Sequence, residues 1–151
     1  MSDQPAGDPH DLNRFVEAQE GVYDRALAEV RAGRKRSHWM WFVFPQLDGL
    51  GSSAMAKRYA IKSRAEAEAY LAHPILGPRL VACAEAAAAV PGKASALDVF
   101  GSPDDMKLRS SATLFACVSP PGSAFERVLI RYFGGERDPA TLRLLGAADP
   151  T

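Results

Sequence analysis

The residues best suited to chemistry lie in one short basic and aromatic segment. Arginine offers planar, paired donors that fit phosphate, and lysine offers a compact positive charge. A tryptophan ring can wall a pocket or stack on a base. The segment contains these candidate ligand-binding residues: Arg34, Lys35, Arg36, Ser37, His38, Trp39 and Trp41. They predict a site for a phosphate-bearing ligand such as a nucleotide or an ADP-ribose derivative.

A second segment, residues 100–115, offers donors that would complete this pocket if the two segments meet in the fold. Its pattern predicts an amphipathic helix, in which Asp104 and Asp105 of the first turn complement the helix dipole. Asp104, one turn before Lys107, could also contribute a carboxylate to a polar pocket. Lys107, Arg109 and Ser110 are its candidate ligand-binding residues. The alternative for Ser110 and the adjacent Ser111 is close packing between helices.

His38 is the candidate catalytic residue. Its basic neighbours disfavour the protonated imidazole, and a neutral imidazole can act as a base. The alternative is a histidine with a structural role. His10 and His73 are distant in sequence, no two histidines have the helical spacing of metal ligands, and His73 is expected to cap a helix. The sequence therefore predicts no metal and no cofactor.

Positive charge is concentrated in residues 31–64. The whole chain has 18 basic and 18 acidic residues, which excludes a protein that binds nucleic acid through overall positive charge. Residues 31–64 nevertheless contain eight basic side chains and one acid, Asp48, whereas residues 1–30 contain two basic and seven acidic ones. The segment could hold a small ligand, dock an acidic protein or an RNA without catalysis, or pair internally with the acidic first helix. Nucleic acid is the less favoured partner.

Helical patterns account for almost the whole chain. Apolar residues spaced by three and four run from Leu12 to Val30, and the sequence from Ser63 to Glu66 has the form of a capping box. The rest of the chain divides into further helices, which begin at serine or aspartate and end at glycine or proline. We expect an all-α single domain of about seven helices, over these ranges: 11–32, 52–60, 63–72, 74–90, 102–118, 123–133 and 138–145.

Residues 39–44 are continuously apolar, and so short a run fits either a buried helix or a buried strand. The prediction therefore allows one short buried extended segment near 40–45. The sequence from Gly49 to Ala54 also matches a dinucleotide-binding fingerprint. That fingerprint requires a parallel sheet, and Pro45 interrupts the strand that would precede it. The same glycines are typical of a tight turn before a helix.

The domain is expected to span residues 11–146 of the 151, between flexible tails at 1–10 and 147–151. The sequence contains no run of 18 apolar residues, so it predicts no membrane span. Its polar start is unlike a secretory signal. Cys83 and Cys117 lie among apolar residues and are predicted to be small buried hydrophobes. A cytoplasmic location is the expectation.

Three segments carry a resemblance to a known family: RAGRKRSHWMWFVFPQLDGLG at 31–51, RYAIKSRAEAEAYLAHPILGPRL at 58–80 and FGSPDDMKLRSSATLF at 100–115. Together they resemble the bacterial domain-of-unknown-function family numbered 1810, over nearly all of residues 11–145. The resemblance implies a mainly α-helical fold and no settled activity. Some members of that family carry the name calpastatin. Calpastatin-type inhibitors are disordered polar repeats, whereas this chain predicts a core without repeats.

A weaker likeness is to the NADAR-type ADP-ribosyl glycohydrolases, which are also small and helical, with buried aromatics near charged residues. Their motif couples a tryptophan to a Glu-His-Tyr run. This sequence contains Trp39 and Trp41 but no Glu-His-Tyr run, so no catalytic residue can be transferred. The likeness agrees with a nucleotide-related ligand and assigns no residue.

Overall fold

The computed structural model describes residues 8–148, and within that range the chain forms ten α-helices and no β-strand. The all-α fold expected from the sequence is confirmed. The helices are α1 (Asn13–Gln19), α2 (Tyr23–Arg31), α3 (Met40–Val43), α4 (Ala54–Arg58), α5 (Arg64–Ala72), α6 (Leu76–Ala88), α7 (Ala96–Phe100), α8 (Asp104–Cys117), α9 (Ala124–Phe133) and α10 (Pro139–Ala148). Residues 1–7 and 149–151, which belong to the expected tails 1–10 and 147–151, lie outside the described residues. No helix in the described range is long and apolar enough to cross a membrane.

Helices α6, α8 and α9 form the centre of the fold. α9 packs against both α6 and α8, and α6 also contacts α2 and α5. Aromatic rings link the surrounding helices to this centre. The ring of Phe15 lies 5.1 Å from that of Tyr70, and the ring of Tyr70 lies 5.4 Å from that of Phe115. Such ring pairs stabilise the core beyond the area they bury, so α8 is held firmly.

The structure has three more helices than the sequence predicts. The expected first helix is divided at Gly21, whose φ of +70° lies in the left-handed region, so α1 and α2 are separate. The other two additions, α3 and α7, have only 4 and 5 residues. α7 begins with a capping box, because Ser95 Oγ accepts the N–H of Asp98 and the Asp98 carboxylate accepts the N–H of Ser95. Helices this short leave almost no periodic pattern.

The apolar run at 39–44 contains a short helix, α3, and is not a strand. Extended backbone lies just beyond it, where Leu47 and Ile61 form an isolated parallel bridge. Asp48 N donates to Ile61 O and Ile61 N donates to Gln46 O, both at 2.8 Å. The extended segment that the sequence allowed near 40–45 is therefore wrong, because α3 occupies Met40–Val43. No sheet supports a dinucleotide-binding fold among residues 8–148.

Two predicted helix starts are confirmed by their caps. Ser63 Oγ accepts the N–H of Glu66 at 3.1 Å and caps α5. His73 Nδ1 accepts the N–H groups of Ile75 and Leu76, at 3.1 and 3.2 Å, at the start of α6. These bonds satisfy amides that have no partner inside the helix. His73 therefore has the structural role expected of it.

Arg14 and Glu66 form a buried ion pair, which the capping-box pattern does not predict. Only 8% of Arg14 and 2% of Glu66 are exposed, and Arg14 Nη2 lies 2.8 Å from Glu66 Oε2. Glu66 Oε1 accepts the N–H of Lys62 at 2.9 Å, rather than that of Ser63 as a capping box requires. The remaining Arg14 donors bond to backbone oxygens of His10, Asp11, Arg58 and Ala60.

Both cysteines are free thiols. Cys83 is fully buried, and burial raises the pKa of its thiol to about 12. It therefore has the character of a small buried hydrophobe that the sequence predicts. Cys117 is only half-buried, and its Sγ accepts a hydrogen bond from Arg137 Nη1 at 3.5 Å.

Candidate functional site

A cavity of about 540 Å³ opens between the loop before α3 and the start of α8. The two segments in which the sequence predicts ligand donors therefore meet here. These residues line the cavity: Lys35, Arg36, Ser37, His38, Met40, Trp41, Ser53, Phe100, Ser102, Pro103, Asp104 and Lys107. Among them are three cationic side chains, one carboxylate and a partly exposed tryptophan ring. We call this space the Lys107 cavity.

Glu29 of α2 gives the loop its shape. Its carboxylate accepts hydrogen bonds from the backbone N–H groups of Arg36 and Ser37, from Ser37 Oγ, and from Trp39 Nε1, all at 2.6–3.0 Å. Partial burial by itself would raise the pKa of Glu29. The bonds from Ser37, Arg36 and Trp39 outweigh it and lower the pKa to about 2. Glu29, one of the acids of residues 1–30, therefore contacts the basic loop through backbone, hydroxyl and indole donors, and not through the cationic side chains of that loop.

Lys35 joins this loop to α8. Its Nζ lies 2.8 Å from Asp104 Oδ2 and also donates to the backbone oxygen of Ser37. The ammonium group lies 4.9 Å from the ring centroid of Trp39, and only 7% of the Lys35 side chain is exposed. A buried ammonium requires such partners, because burying an unpaired charge is costly. Lys35 is therefore a fixed part of the cavity wall.

Lys107, on the next turn of α8, is held less tightly. Its Nζ lies 3.7 Å from Asp104 Oδ1, and 21% of its side chain is exposed. The same ammonium lies 5.0 Å from the ring centroid of Trp41, a distance at which cation and ring attract. Arg36 and His38 are exposed at the cavity edge. Lys107 and Arg36 are thus the cationic groups with the most freedom to meet a ligand.

Trp39 belongs to the core and does not line the cavity. Its exposed fraction is 0%, and its ring packs against Phe44 and Phe100 at centroid distances of 6.3 and 6.5 Å. Trp39 is therefore a core residue, and its burial does not support the prediction that it binds a ligand. Two residues later, Trp41 is only partly buried and faces the cavity. The prediction of a stacking wall therefore concerns Trp41 alone.

Three other predicted ligand-binding residues point elsewhere. Arg34 is exposed but does not line the cavity. Arg109 donates to the backbone oxygens of Glu136 and Arg137, at 3.2 and 3.0 Å. Ser110 Oγ lies 3.2 Å from the backbone oxygen of Met106 and 3.2 Å from Asp138 Oδ2, at the start of α10. Residues two apart on a helix face different sides, so the predicted grouping of Lys107 with Arg109 is wrong.

Glu29 has a role in the site that the sequence does not predict. It lies in α2 and reaches the loop only through the tertiary fold, so no local signal reveals it. Asp104, in contrast, lines the cavity one turn before Lys107, as the helical spacing predicts, since residues three apart are neighbours on a helix surface.

Three further cations of the basic segment, Lys57, Arg58 and Lys62, line a second cavity, of about 560 Å³, beside α4. We call it the Arg14 cavity. These residues line it: Pro9, His10, Asp11, Arg14, Lys57, Arg58, Lys62 and Glu66. Its floor is the Arg14–Glu66 ion pair, whereas Lys57, Arg58 and Lys62 are exposed at its rim. No tryptophan lines it among the described residues.

The fold and the first cavity define a small all-α protein with a basic, aromatic-walled cavity at the start of a central helix. The chain belongs to the family described as protein of unknown function (DUF1810), whose model matches residues 9–145. The resemblance found in the sequence is therefore confirmed. The family description assigns no activity.

A solved structure with the same fold is similar to this chain. It is the conserved hypothetical protein Rv1873 from Mycobacterium tuberculosis, with 54% sequence identity and a TM-score of 0.89, and the match covers 92% of this chain and 99% of that chain. No curated protein matches the chain. Neither the family nor this relative supports the weaker likeness to the NADAR-type glycohydrolases.

Proposed function

We propose that the Lys107 cavity binds a phosphate-bearing ligand, such as a nucleotide or an ADP-ribose derivative, in the bacterial cytoplasm. The observation that carries this proposal is the cavity lining, in which three cations, Lys35, Arg36 and Lys107, accompany one carboxylate and the Trp41 ring. Pockets for small ligands are concave and combine an apolar or aromatic wall with a few convergent polar groups. The excess of cations selects an anion.

Arg36 and Lys107 are the residues that we assign to the phosphate. Glu29 fixes Arg36 through its backbone N–H, which leaves the guanidinium at the cavity edge. The loose 3.7 Å contact of Lys107 leaves its ammonium able to donate to another acceptor. Lys35 already has close partners and so positions the wall. The charge-assisted bonds that Arg36 and Lys107 would form are among the strongest hydrogen bonds in proteins.

Trp41 and His38 complete the proposed site. Trp41 supplies the aromatic surface for a base, and base–aromatic stacking contributes about 1–3 kcal/mol. His38 faces the same cavity and is the residue we assign as a base if the ligand is processed. Among the described residues, no group of three or more His, Cys, Asp or Glu side chains could hold a metal ion.

Calorimetric titration with adenosine 5′-monophosphate (AMP), ADP-ribose and NAD tests the proposal. The variants are Arg36→Ala, Lys107→Ala and the matched control Arg34→Ala, an exposed arginine two residues from Arg36 that lies outside the cavity lining. We expect at least one ligand to bind the wild type, and each cavity variant to bind it about tenfold more weakly. A bound ligand at a hundredfold over its Kd should also stabilise the fold by about 2.7 kcal/mol.

Two results would overturn the proposal. The first is the absence of binding by all three ligands to the folded wild type. The second is binding that Arg34→Ala weakens as much as Arg36→Ala does, since the contact would then lie outside the Lys107 cavity.

The second candidate function is a non-enzymatic interaction module that docks an acidic protein or an RNA on the basic segment. The observation in its favour is the exposed rim of Lys57, Arg58 and Lys62 at the Arg14 cavity. Binding of a labelled oligouridine should then weaken steeply with salt, because each phosphate contact releases a counterion. The double variant Lys57→Glu/Lys62→Glu should abolish it, whereas Lys93→Glu, an exposed site outside both cavities, should not. Unchanged binding by the double variant would exclude this surface.

A further inference from the structure

We propose that Asp104 determines which phosphate-bearing ligands the Lys107 cavity accepts. Its carboxylate would receive a hydrogen bond from a free sugar hydroxyl, so the preferred ligands carry an unmodified ribose diol. Ligands with a second phosphate on that diol would be disfavoured. This inference rests on the proposed function, because it concerns the same cavity.

Asp104 is the single acid among the described residues that line a cavity with three cations. A carboxylate repels phosphate when the two are close, so it weakens a site that has only anions to bind. Its presence in the lining is useful if the ligand also presents a donor. A ribose hydroxyl is such a donor, and an acidic side chain serves this purpose in dinucleotide-binding folds.

The two oxygens of this carboxylate have different surroundings. Oδ2 lies 2.8 Å from the buried Lys35 ammonium. Among the described residues, the contact of Oδ1 is the 3.7 Å one with Lys107, which is too long for a hydrogen bond. About 19% of the Asp104 side chain is exposed. A carboxylate has about four lone-pair positions, so Oδ1 retains the capacity to accept a bond from the cavity.

The carboxylate is also held in one orientation. Lys35 is anchored by the Ser37 carbonyl and lies over the buried Trp39 ring, and Glu29 fixes Ser37 in turn. Asp104 belongs to the first turn of α8, which the core secures. A fixed acceptor discriminates well, because a ligand that cannot donate leaves it without a partner.

If Asp104 accepts a bond from the ribose while the cations bind phosphate, its replacement should have opposite effects on two ligands that differ at one ribose position. AMP presents the free diol, and adenosine 2′,5′-bisphosphate replaces one hydroxyl with a phosphate. Calorimetry on the wild type should show AMP binding at least tenfold more tightly, despite its lower charge. In Asp104→Asn, AMP should bind more weakly and the bisphosphate more tightly, so that the preference falls at least tenfold.

The control variant is Asp48→Asn, which removes an exposed acid outside the cavity lining and should preserve the preference. If Asp104→Asn strengthens both ligands equally, Asp104 is only an internal competitor for the lysines. If it weakens both equally, Asp104 only positions Lys35. Either result overturns the inference.

Measurements on the wild type decide the matter even if Asp104→Asn fails to fold. Equal affinity for AMP and for the bisphosphate, or tighter binding of the bisphosphate, contradicts the role of Asp104 and leaves the proposed function in place. If the folded wild type binds none of AMP, the bisphosphate, ADP-ribose and NAD, the proposed function itself is contradicted. The two failures are therefore distinguishable.

Discussion

The Lys107 cavity and the Arg14 cavity both contain cations of the basic segment 31–64, to which the fold adds Lys107 in one and Arg14 in the other. These two added cations differ in how many of their donors are already bonded. All five N–H donors of Arg14 are occupied, by four backbone oxygens and by Glu66. Lys107 has only a 3.7 Å contact with Asp104 among the acids of the described residues, and 21% of its side chain is exposed. Positive charge alone therefore does not identify a ligand site. We propose that a ligand site requires donors without a close partner beside an aromatic wall, as Lys107 is beside Trp41.

The largest effect on stability should come from replacing Arg14, whose five donors are all bonded. Arg14→Met leaves the Glu66 carboxylate, which is 2% exposed, without its charged partner. Breaking a buried pair in this way costs about 3–5 kcal/mol. Urea unfolding should show that loss, whereas Arg36→Met, at the exposed edge of the other cavity, should change stability by less than about 0.5 kcal/mol. Equal losses for the two variants would remove the contrast between the cavities.

The next effect concerns the acid that shapes the Lys107 cavity. Glu29→Gln weakens bonds to Arg36, Ser37 and Trp39, and hydrogen bonds to a charged group contribute about 1.5–3 kcal/mol. Because the folded pKa of Glu29 is about 2, below the ordinary 4.5, the stabilisation is fully present above pH 4.5. It is lost as the pH falls towards 2.

The stability difference between the wild type and Glu29→Gln should therefore be constant near neutral pH and should close between about pH 4.5 and 2. Urea unfolding of both proteins over that range measures it. A difference that does not vary with pH would show that the ionised carboxylate is not what holds the loop.

A smaller effect on free energy, but a direct one on function, should come from Lys107→Ala. We expect AMP to bind about tenfold more weakly, since one charge-assisted bond is lost, with a change in stability below about 0.5 kcal/mol. Calorimetry and urea unfolding on the same preparation separate the two. A large loss of stability with unchanged affinity would make Lys107 a structural residue.

The smallest effect should come from the rim of the Arg14 cavity. Lys57→Ala/Lys62→Ala removes two exposed cations that lie outside the Lys107 cavity lining. Affinity for AMP should change less than twofold, and stability by less than about 0.5 kcal/mol. Affinity that falls as far as it does in Lys107→Ala would merge the two cavities into one binding surface.

The sequence predicts the helices well where a pattern is long or a cap is explicit. The capping serine before α5 and the histidine before α6 are examples, because their bonds form with residues two or three positions away. The division at Gly21 and the short α3 and α7 are harder. A glycine is tolerated in many helices, and a helix of 4 or 5 residues has too little periodicity.

The candidate site was predictable only in part, because local spacing does not determine which face of a residue the fold covers. Lys35, Arg36, His38, Trp41 and Lys107 do line one cavity. Trp39 does not line it, because its ring packs against Phe100 of α7. Arg109 donates instead to Arg137, in the loop before α10. These differences arise from contacts between residues about 30 to 60 positions apart, which a sequence pattern does not contain.

A crystal structure of the protein with AMP is the most direct test of the proposed ligand site. We expect phosphate within hydrogen-bonding distance of Lys107 Nζ and the Arg36 guanidinium, with the adenine against Trp41 and a ribose hydroxyl at Asp104 Oδ1. Phosphate bound instead among Lys57, Arg58 and Lys62, with the Lys107 cavity free of nucleotide at saturating AMP, would contradict it.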